Sequence, residues 1–411
     1  MSFGIVELIS LLLSLGGFGL ATNPKPPSVD AALEFGMAAP DFVAHFDAAS
    51  VIPSNYKVLM AMPDQPAIKA SPELSTAVRQ VINEIEGPRS IAKGMVGFDP
   101  VTDFSDVTAF AQIVPNQQPT FVVAVHGKFA PNLLDRISKL NNKPVTKVGA
   151  FSMLETGDGN ALALKNGTLI VGALALVKER LADTWKAPSH AAGTNLAVAA
   201  DMLAGHPVFG VAMTLSPGTR QEIMEKHGSD KNFLTDLVQR TKGSTFAIYH
   251  DGMGWSISDT TAAGLEQMAQ LSDGMVDILR AAQIAPRGVA KIALAALDSY
   301  KGRSAQIDQM IAHKADLQRI MAQYTGDGQF KAKLEKDPKN LKLDVRLTGK
   351  SLSDVLGVGM LVPFGAAALF TRTASPAPPA PPAPPAPPAP MSPRPLQQKP
   401  ATKPLPSTGK H

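Results

Sequence analysis

The chain has 411 residues, of which 45% are hydrophobic and 18% charged, so it can build a core and is not a wholly disordered protein. It has no cysteine, which excludes a disulfide scaffold, a cysteine nucleophile and a thiolate metal site. The formal net charge of +4 comes from the C-terminal end, because the last 40 residues carry five basic residues and no acidic one, while the charges of the central body cancel. A neutral body argues against a nucleic-acid-binding domain, which needs a basic face.

Residues 3–21 form an apolar run whose single charge is Glu7. The length suits a membrane helix of about 20 residues. Gly19 and Ala21 also supply the small-x-small pattern that precedes signal-peptide cleavage, although no Lys or Arg stands ahead of the run. The run therefore predicts a membrane anchor or a cleaved signal, with a buried helix of a soluble domain as the third interpretation.

Strand and helix patterns then alternate along a first lobe that begins near residue 40. Ser71 and Pro72 are residue types that favour a helix N-cap and a first helical position, and Gly87-Pro88 is expected to stop that helix. Turn sequences such as TGDGN and KNG separate the later strands. The predicted strands are residues 41–47, 56–62, 107–114, 120–127, 147–154, 161–165 and 168–172, and the predicted helices are 71–86, 131–140 and 174–185.

A second lobe repeats the order of strand, helix and hairpin, which suggests an old duplication. Its most regular part is a terminal hairpin around a DPKN turn, in which apolar and charged residues alternate with period two. This alternation predicts two antiparallel strands with one buried and one solvated face. The predicted strands are residues 208–215, 244–250, 255–260, 329–336 and 340–348, and the predicted helices are 219–227, 231–240, 263–284 and 288–323.

The C-terminal part begins with a second uncharged run at residues 355–371, which is at the lower limit for a bilayer span. It predicts either a membrane helix or a short helix packed on the body. From Ser375 the chain becomes a proline-rich, basic sequence that cannot build a core. We expect this tail to be disordered and to act as a spacer.

Four segments of the first lobe have distinctive sequences: VIPSNYKVLMAM, GFDPVTDFSDVTAF, FVVAVHGKF and NGTLIVG. In these segments the chain resembles uncharacterised bacterial envelope proteins with an α+β domain of unknown function. The resemblance covers roughly residues 45–185, extends more loosely to residue 350, and implies no activity.

The predicted fold class is α+β, with two related lobes of mostly antiparallel sheet packed by helices. Apolar helices flank the lobes at both ends of the chain, and the proline-rich tail follows. The predicted organisation is an apolar anchor or signal at 1–24, a linker or short helix at 25–39, a first lobe at 40–195, a second lobe at 196–352, an apolar helix at 353–373 and the tail at 374–411.

Reactive constellations are scarce in the sequence. His45, His126 and His250 each stand near the end of a predicted strand, so they could converge into a metal or acid–base site if those strands pair. The alternative interpretation is three unrelated strand histidines. Ser54 and Lys57 match the S-x-x-K pattern of serine acyltransferases, but a strand would point the two side chains apart.

Acidic residues give a second set of candidates. A carboxylate cluster at Asp99, Asp103 and Asp106 could bind a ligand, although a solvated loop also explains it. Aspartates in glycine-flanked turns, at Asp158, Asp251 and Asp327, lack the acidic spacing of a calcium loop. We therefore predict no catalytic, cofactor-binding or metal-ligating residue, no cofactor, and a protein that is not an enzyme.

The leading functional prediction is a membrane-attached bacterial envelope protein with a non-enzymatic binding or structural role. Its expected partners are membrane lipid and an unknown envelope protein. The lipid contact is expected through residues 3–21, and through residues 355–371 as well if that run spans the bilayer. Its body is expected in the periplasm or at the cell surface, or secreted if the signal is cleaved. One alternative is an extracytoplasmic hydrolase that combines His126 with the 99–106 loop. The other is a cytoplasmic scaffold that recruits partners through its tail.

Overall fold

The computed structural model describes residues 27–65, 69, 72–114, 118–157, 159–227, 238–297, 301–302, 308, 311–312 and 330–349. Within them the chain is an α+β protein, as predicted. The two apolar runs and the proline-rich tail lie outside the described residues. Among the helices of the described part, none combines the length and the apolar character that a membrane crossing requires.

In the described residues, twelve strands form one sheet in which every neighbouring pair runs antiparallel. Their order across the sheet is β11-β12-β10-β9-β8-β1-β2-β3-β7-β6-β5-β4. The strands are β1 Phe42–Phe46, β2 Phe104–Gln112, β3 Thr120–Gly127, β4 Val145–Val148, β5 Phe151–Gly157, β6 Asn160–Lys165, β7 Thr168–Ala173, β8 Phe209–Met213, β9 Gly243–Tyr249, β10 Gly252–Ser258, β11 Lys331–Asp337 and β12 Lys342–Thr348.

Helices pack on both faces of this sheet. The α-helices are α1 Val29–Leu33, α2 Ala48–Ala61, α3 Pro72–Ile91, α4 Leu133–Asn141, α5 Leu174–Leu181, α6 Asn195–Ala204, α7 Pro217–His227 and α8 Ala262–Leu297. A 3-10 turn, Met62–Asp64, follows α2, and a π-helical turn, Ala92–Val96, follows α3.

The two predicted lobes share the sheet, because β1 pairs with β2 on one side and with β8 on the other. Each lobe thus starts with a strand at the centre and continues outward through its first hairpin, and the chain then goes to the edge strand, β4 or β11, and returns inward. In both, the first strand is followed by helix and then by a hairpin, β2–β3 in the first lobe and β9–β10 in the second. This shared order is compatible with the duplication of an ancestral lobe, which stays a prediction.

Three apolar cores lie on the two faces. We call face A the one with Val43 and Phe110, and face B the one with Ala44 and Val123, as the register of β1, β2 and β3 defines them. The first core lies on face A under α1, α5 and α6, and it contains residues of both lobes. The second core lies on face B under α2, α3 and α4. The third core lies between α8 and strands β10 to β12.

The predicted strand at 56–62 is wrong, because these residues continue α2. Asp47 caps this helix by accepting a hydrogen bond from the Ser50 backbone N–H, and Ile52 and Leu59 bury its inner face on the second core. Pro53 lies inside the helix, where it lacks the N–H that would continue the hydrogen-bond ladder. Burial against face B outweighs that local cost.

Other boundaries also differ from the predictions. Pro88 does not stop α3, which continues through the π-helical turn until Gly97, a residue with a φ of 77°. The predicted strand at 147–154 is two strands, β4 and β5, separated by a turn at Gly149 with a φ of 58°. α8 is continuous across the predicted break near residue 285, and α6 was not predicted.

The terminal hairpin is confirmed. Leu343, Val345 and Leu347 of β12 are buried, whereas Lys331 and Lys333 of β11 are exposed. The buried face belongs to the third core, where it meets the first half of α8. Packing on the predicted second helix, 288–323, falls largely outside the described residues.

Candidate functional site

A cluster of buried polar side chains lies on face A at one end of β1, β2 and β3. We call it the polar cluster, and its members are His45, Asp47, Asp106, Thr108 and His126. His45 lies opposite Thr108, and Asp106 lies opposite His126. Because alternate residues of a strand point to the same face, the register brings these side chains together on face A.

The closest contact in the polar cluster joins Asp106 and His126, with 2.7 Å between Oδ1 and Nδ1. Asp106 is buried, and the His126 side chain is 17% exposed. The carboxylate fixes the orientation of the imidazole ring. Nε2 of His126 is buried and has no hydrogen-bond partner in the described part of the chain.

His45 occupies the neighbouring position on β1. Its Nδ1 lies 2.9 Å from the hydroxyl oxygen of Thr108, and both residues are buried. Burial lowers the pKa of His45 to about 4, an effect that the charge of Asp106 opposes and that of His126 reinforces. His45 is therefore a neutral imidazole at neutral pH.

Asp47 links the polar cluster to α2. Its carboxylate accepts a hydrogen bond from the Ser50 backbone N–H at 3.2 Å. Burial raises the pKa of Asp47, the hydrogen bonds with Ser50 oppose this, and smaller effects come from Asp106 and His250. Of the three histidines that the sequence singles out, His45 and His126 lie in the polar cluster, whereas His250 has only a small electrostatic effect on Asp47.

A small depression reaches the polar cluster from the side of α1 and α6. Its cavity volume is about 10 Å³, and His45, Asp47, Leu203 and His206 are among its lining residues. Pockets for small organic ligands are typically about 300–1,000 Å³. The depression is thus too small to enclose an ordinary substrate in this conformation.

The predicted carboxylate cluster divides between two places. Asp106 joins His126, whereas Asp99 accepts two hydrogen bonds from the Arg89 guanidinium, at 2.9 and 2.8 Å. These bonds hold the pKa of Asp99 below its usual value. Asp103 accepts a hydrogen bond from the backbone N–H of Asp99 and so belongs to the turn before β2. The three carboxylates form no joint site.

The remaining sequence candidates have structural explanations where they are described. Ser54 lies in α2 and donates to the carbonyl of Val51, and Lys57 is exposed on the same helix. Asp251 pairs with Arg346 at 2.6 Å. Asp158 and Asp327 lie outside the described residues. Within the described part of the chain, no three acidic or histidine side chains are grouped as metal ligands.

Sequence reasoning missed the one arginine or lysine that is buried among the described residues. Arg180 is 1% exposed, and its guanidinium donates to the carbonyls of Phe35, Gly36 and Leu176 at 2.6 to 2.8 Å. It thereby satisfies carbonyls just after α1 and ties that segment to α5. The sequence of α5, LALVKERL, gives no sign that Arg180 differs from the half-exposed Lys178 nearby.

Comparison with known proteins finds no family and only distant structural similarity. No protein-family model matches the chain, and no curated protein matches it either. Among solved structures, crystal form I of TP0453 aligns over 79% of this chain and 96% of its own, with 7% identity and a TM-score of 0.31. Crystal form IV of TP0453 covers 55% and 78%, with 8% identity and a TM-score of 0.28. Likenesses at these TM-scores carry no argument about function.

Proposed function

We propose that the protein is a non-enzymatic, membrane-attached bacterial envelope protein whose two-lobed body binds or positions a partner. The observation that carries this proposal is the closure of the polar cluster. His45 bonds to Thr108, Asp106 bonds to His126, and the second ring nitrogen of His126 is buried.

A catalytic acid or base must reach the proton that it transfers, within about 2.6–3.2 Å or through one water molecule. Nε2 of His126 is buried, so no substrate atom reaches it in this conformation. Asp106, His45 and Thr108 are buried as well. These polar groups support a structural role for the polar cluster, which fixes the register of the three central strands.

Membrane attachment is supported by the apolar run at residues 3–21. We propose further that the body lies outside the cytoplasm. In the full chain, the double substitution Leu12→Arg and Leu15→Arg would place two charges in that run, each costing about 2.5–3.5 kcal/mol at the centre of a membrane helix. The wild-type chain should stay with the membranes through an alkaline carbonate wash, and the double variant should be released. A wild-type chain found in the soluble fraction would exclude membrane attachment.

A hydrolase is the second candidate, because one specific observation favours it. The Asp106–His126 pair has the geometry of a base that a carboxylate orients, which is the arrangement of nucleophilic and general-base sites. Such a function requires the polar cluster to open to substrate.

Chemical modification of the native protein distinguishes the two candidates. Diethyl pyrocarbonate reacts with accessible neutral imidazoles, and mass spectrometry locates the modified residues. His206 is exposed and serves as the internal control, whereas His45 and His126 should react only after unfolding. If His126 reacts as fast as His206, the polar cluster is open, and the hydrolase candidate replaces the binding role.

A further inference from the structure

Strand β11 is at one end of the twelve-stranded sheet. It pairs with β12 on its inner side, and no described strand pairs with its outer side. An edge strand presents a row of backbone N–H and C=O groups to which another strand can bind.

The charges of β11 are ordered along face A. Two lysines, Lys331 and Lys333, are followed by two acids, Glu335 and Asp337. Lysines on an edge usually prevent pairing, because a second strand would bury or crowd them. Here the acids of the same strand supply the opposite charge.

The inner neighbour offers an opposite charge to Asp337, which lies opposite Lys342, but not to the two charges in the middle of the strand. In the β11–β12 register, Lys333 lies opposite Arg346, and Glu335 lies opposite Asp344. Like charges directly opposite each other destabilise a strand pair. Lys333 instead pairs with Glu335 of its own strand, while Arg346 pairs with Asp251.

We propose that β11 pairs antiparallel with β11 of a second copy of the chain, about a two-fold axis that passes beside Leu334. In this register Lys333 lies opposite the partner's Glu335, and Lys331 lies opposite the partner's Asp337. By symmetry each pair occurs twice, so four opposite-charge pairs cover face A of the interface. The two sheets would continue into one.

Face B of β11 fits the same arrangement. Leu334 would contact the partner's Leu334, and Ala332 would lie opposite the partner's Lys336. Ala332 and Leu334 already pack on the third core, so the contact would extend that core across the two-fold axis. Lys336 bonds to Glu266 of α8 at 2.6 Å, which holds its ammonium group away from the apolar contact.

The charges select this register alone. Residues directly opposite each other in an antiparallel pair point to the same face. The two-fold axis of a symmetric pair must therefore pass beside a residue, and each alternative register moves the axis to another residue. An axis beside Lys333 or Glu335 sets that residue against its own copy, and an axis beside Ala332 or Lys336 sets two lysines or two acids against each other. Only the axis beside Leu334 leaves every face A pair with opposite charges.

A cysteine cross-link tests the register directly, because the chain has no cysteine of its own. Directly opposite residues of antiparallel strands have Cα atoms about 4.5–5.5 Å apart, within the range of a disulfide. The full-length Leu334→Cys variant, oxidised in mild detergent, should therefore give a disulfide-linked dimer. The matched control is Lys336→Cys, whose two copies would lie about 13 Å apart and should not cross-link.

Charge exchange tests the cause of the pairing. The dimer dissociation constant of the full chain, measured by sedimentation in detergent, should rise at least about tenfold in Lys333→Glu, because like charges across an interface are costly. The double variant K333E/E335K restores opposite charges in the same register and should bind within a few fold of wild type. A monomeric wild type, equal cross-linking at 334 and 336, or a double variant as weak as the single one would each overturn the proposal.

Discussion

Burial of His45 as a neutral imidazole makes the stability of the fold depend on pH. In the unfolded chain the pKa of a histidine is about 6.5, whereas in the folded protein that of His45 is about 4. Between these values the unfolded state binds more protons, so the free energy of unfolding rises with pH. The contribution is complete above about pH 6.5 and is lost as the pH falls toward about 4; it amounts to about 3 kcal/mol.

The test compares wild type with His45→Gln, a neutral residue that can still bond to Thr108. Between about pH 7 and about pH 4.5, urea unfolding should show wild type losing about 2–3 kcal/mol more than the variant. Asp47 does not confuse the comparison. Because the pKa of Asp47 is raised in the folded protein, its contribution to the free energy of unfolding falls as the pH rises above 3.8, which is opposite to the effect of His45. Both proteins contain Asp47, so its contribution cancels in the comparison. Equal losses would mean that His45 is not buried in the neutral form.

Arg180 offers a second test at the level of single residues. Its planar fork places three separate nitrogens on the carbonyls of Phe35, Gly36 and Leu176, and the single ammonium nitrogen of a lysine cannot occupy all three positions. Arg180→Lys should therefore lower the free energy of unfolding by about 2 kcal/mol or more, because buried carbonyls lose their donors. The control is Arg280→Lys, because Arg280 forms a half-exposed ion pair with Asp277. This substitution should change the free energy of unfolding by less than about 0.5 kcal/mol. Equal effects would contradict the role of Arg180.

Among the elements, the terminal hairpin has the plainest division between buried and solvated residues. Leu343 is 0% exposed, while the adjacent Lys342 points to face A and pairs with Asp344. Leu343→Ser should destabilise the body by roughly 3 kcal/mol, since it removes buried apolar surface and leaves a cavity. Lys342→Ser should cost less than about 1 kcal/mol. Chemical unfolding measures both, and similar costs would place the hairpin outside the core.

Some elements of the fold could be predicted from sequence patterns and others could not. Hairpins such as β11–β12 were predictable because their side-chain alternation is local. The helix α2 was not, since the cap at Asp47 and the burial of Ile52 on face B outweigh the strand-like composition of VLMAM. The Asp106–His126 pair depends on the β2–β3 register, and the predicted strand began one residue after Asp106. Proximity across strands is a tertiary property that residue types alone do not encode.

At the scale of the whole molecule, the pairing of β1 with β8 joins the two lobes into one sheet. The first core strengthens this connection, because it includes Ile170 from the first lobe and Ala212 and Ala247 from the second. Two lobes that share strand hydrogen bonds and a core should unfold as one cooperative unit. Lobes that merely followed each other along the chain would unfold separately.

The two tryptophans report on the lobes one by one, since Trp185 follows α5 in the first lobe and Trp255 lies in β10 of the second. In the variants Trp185→Phe and Trp255→Phe, the remaining tryptophan's fluorescence follows urea unfolding of its own lobe. Ile170→Ala, which truncates a fully buried side chain of the first core, should remove about 2–4 kcal/mol. If the sheet is one cooperative unit, this substitution lowers the unfolding midpoint reported by Trp255 as much as that reported by Trp185. A shift confined to Trp185 would mean that the β1–β8 junction does not couple the lobes.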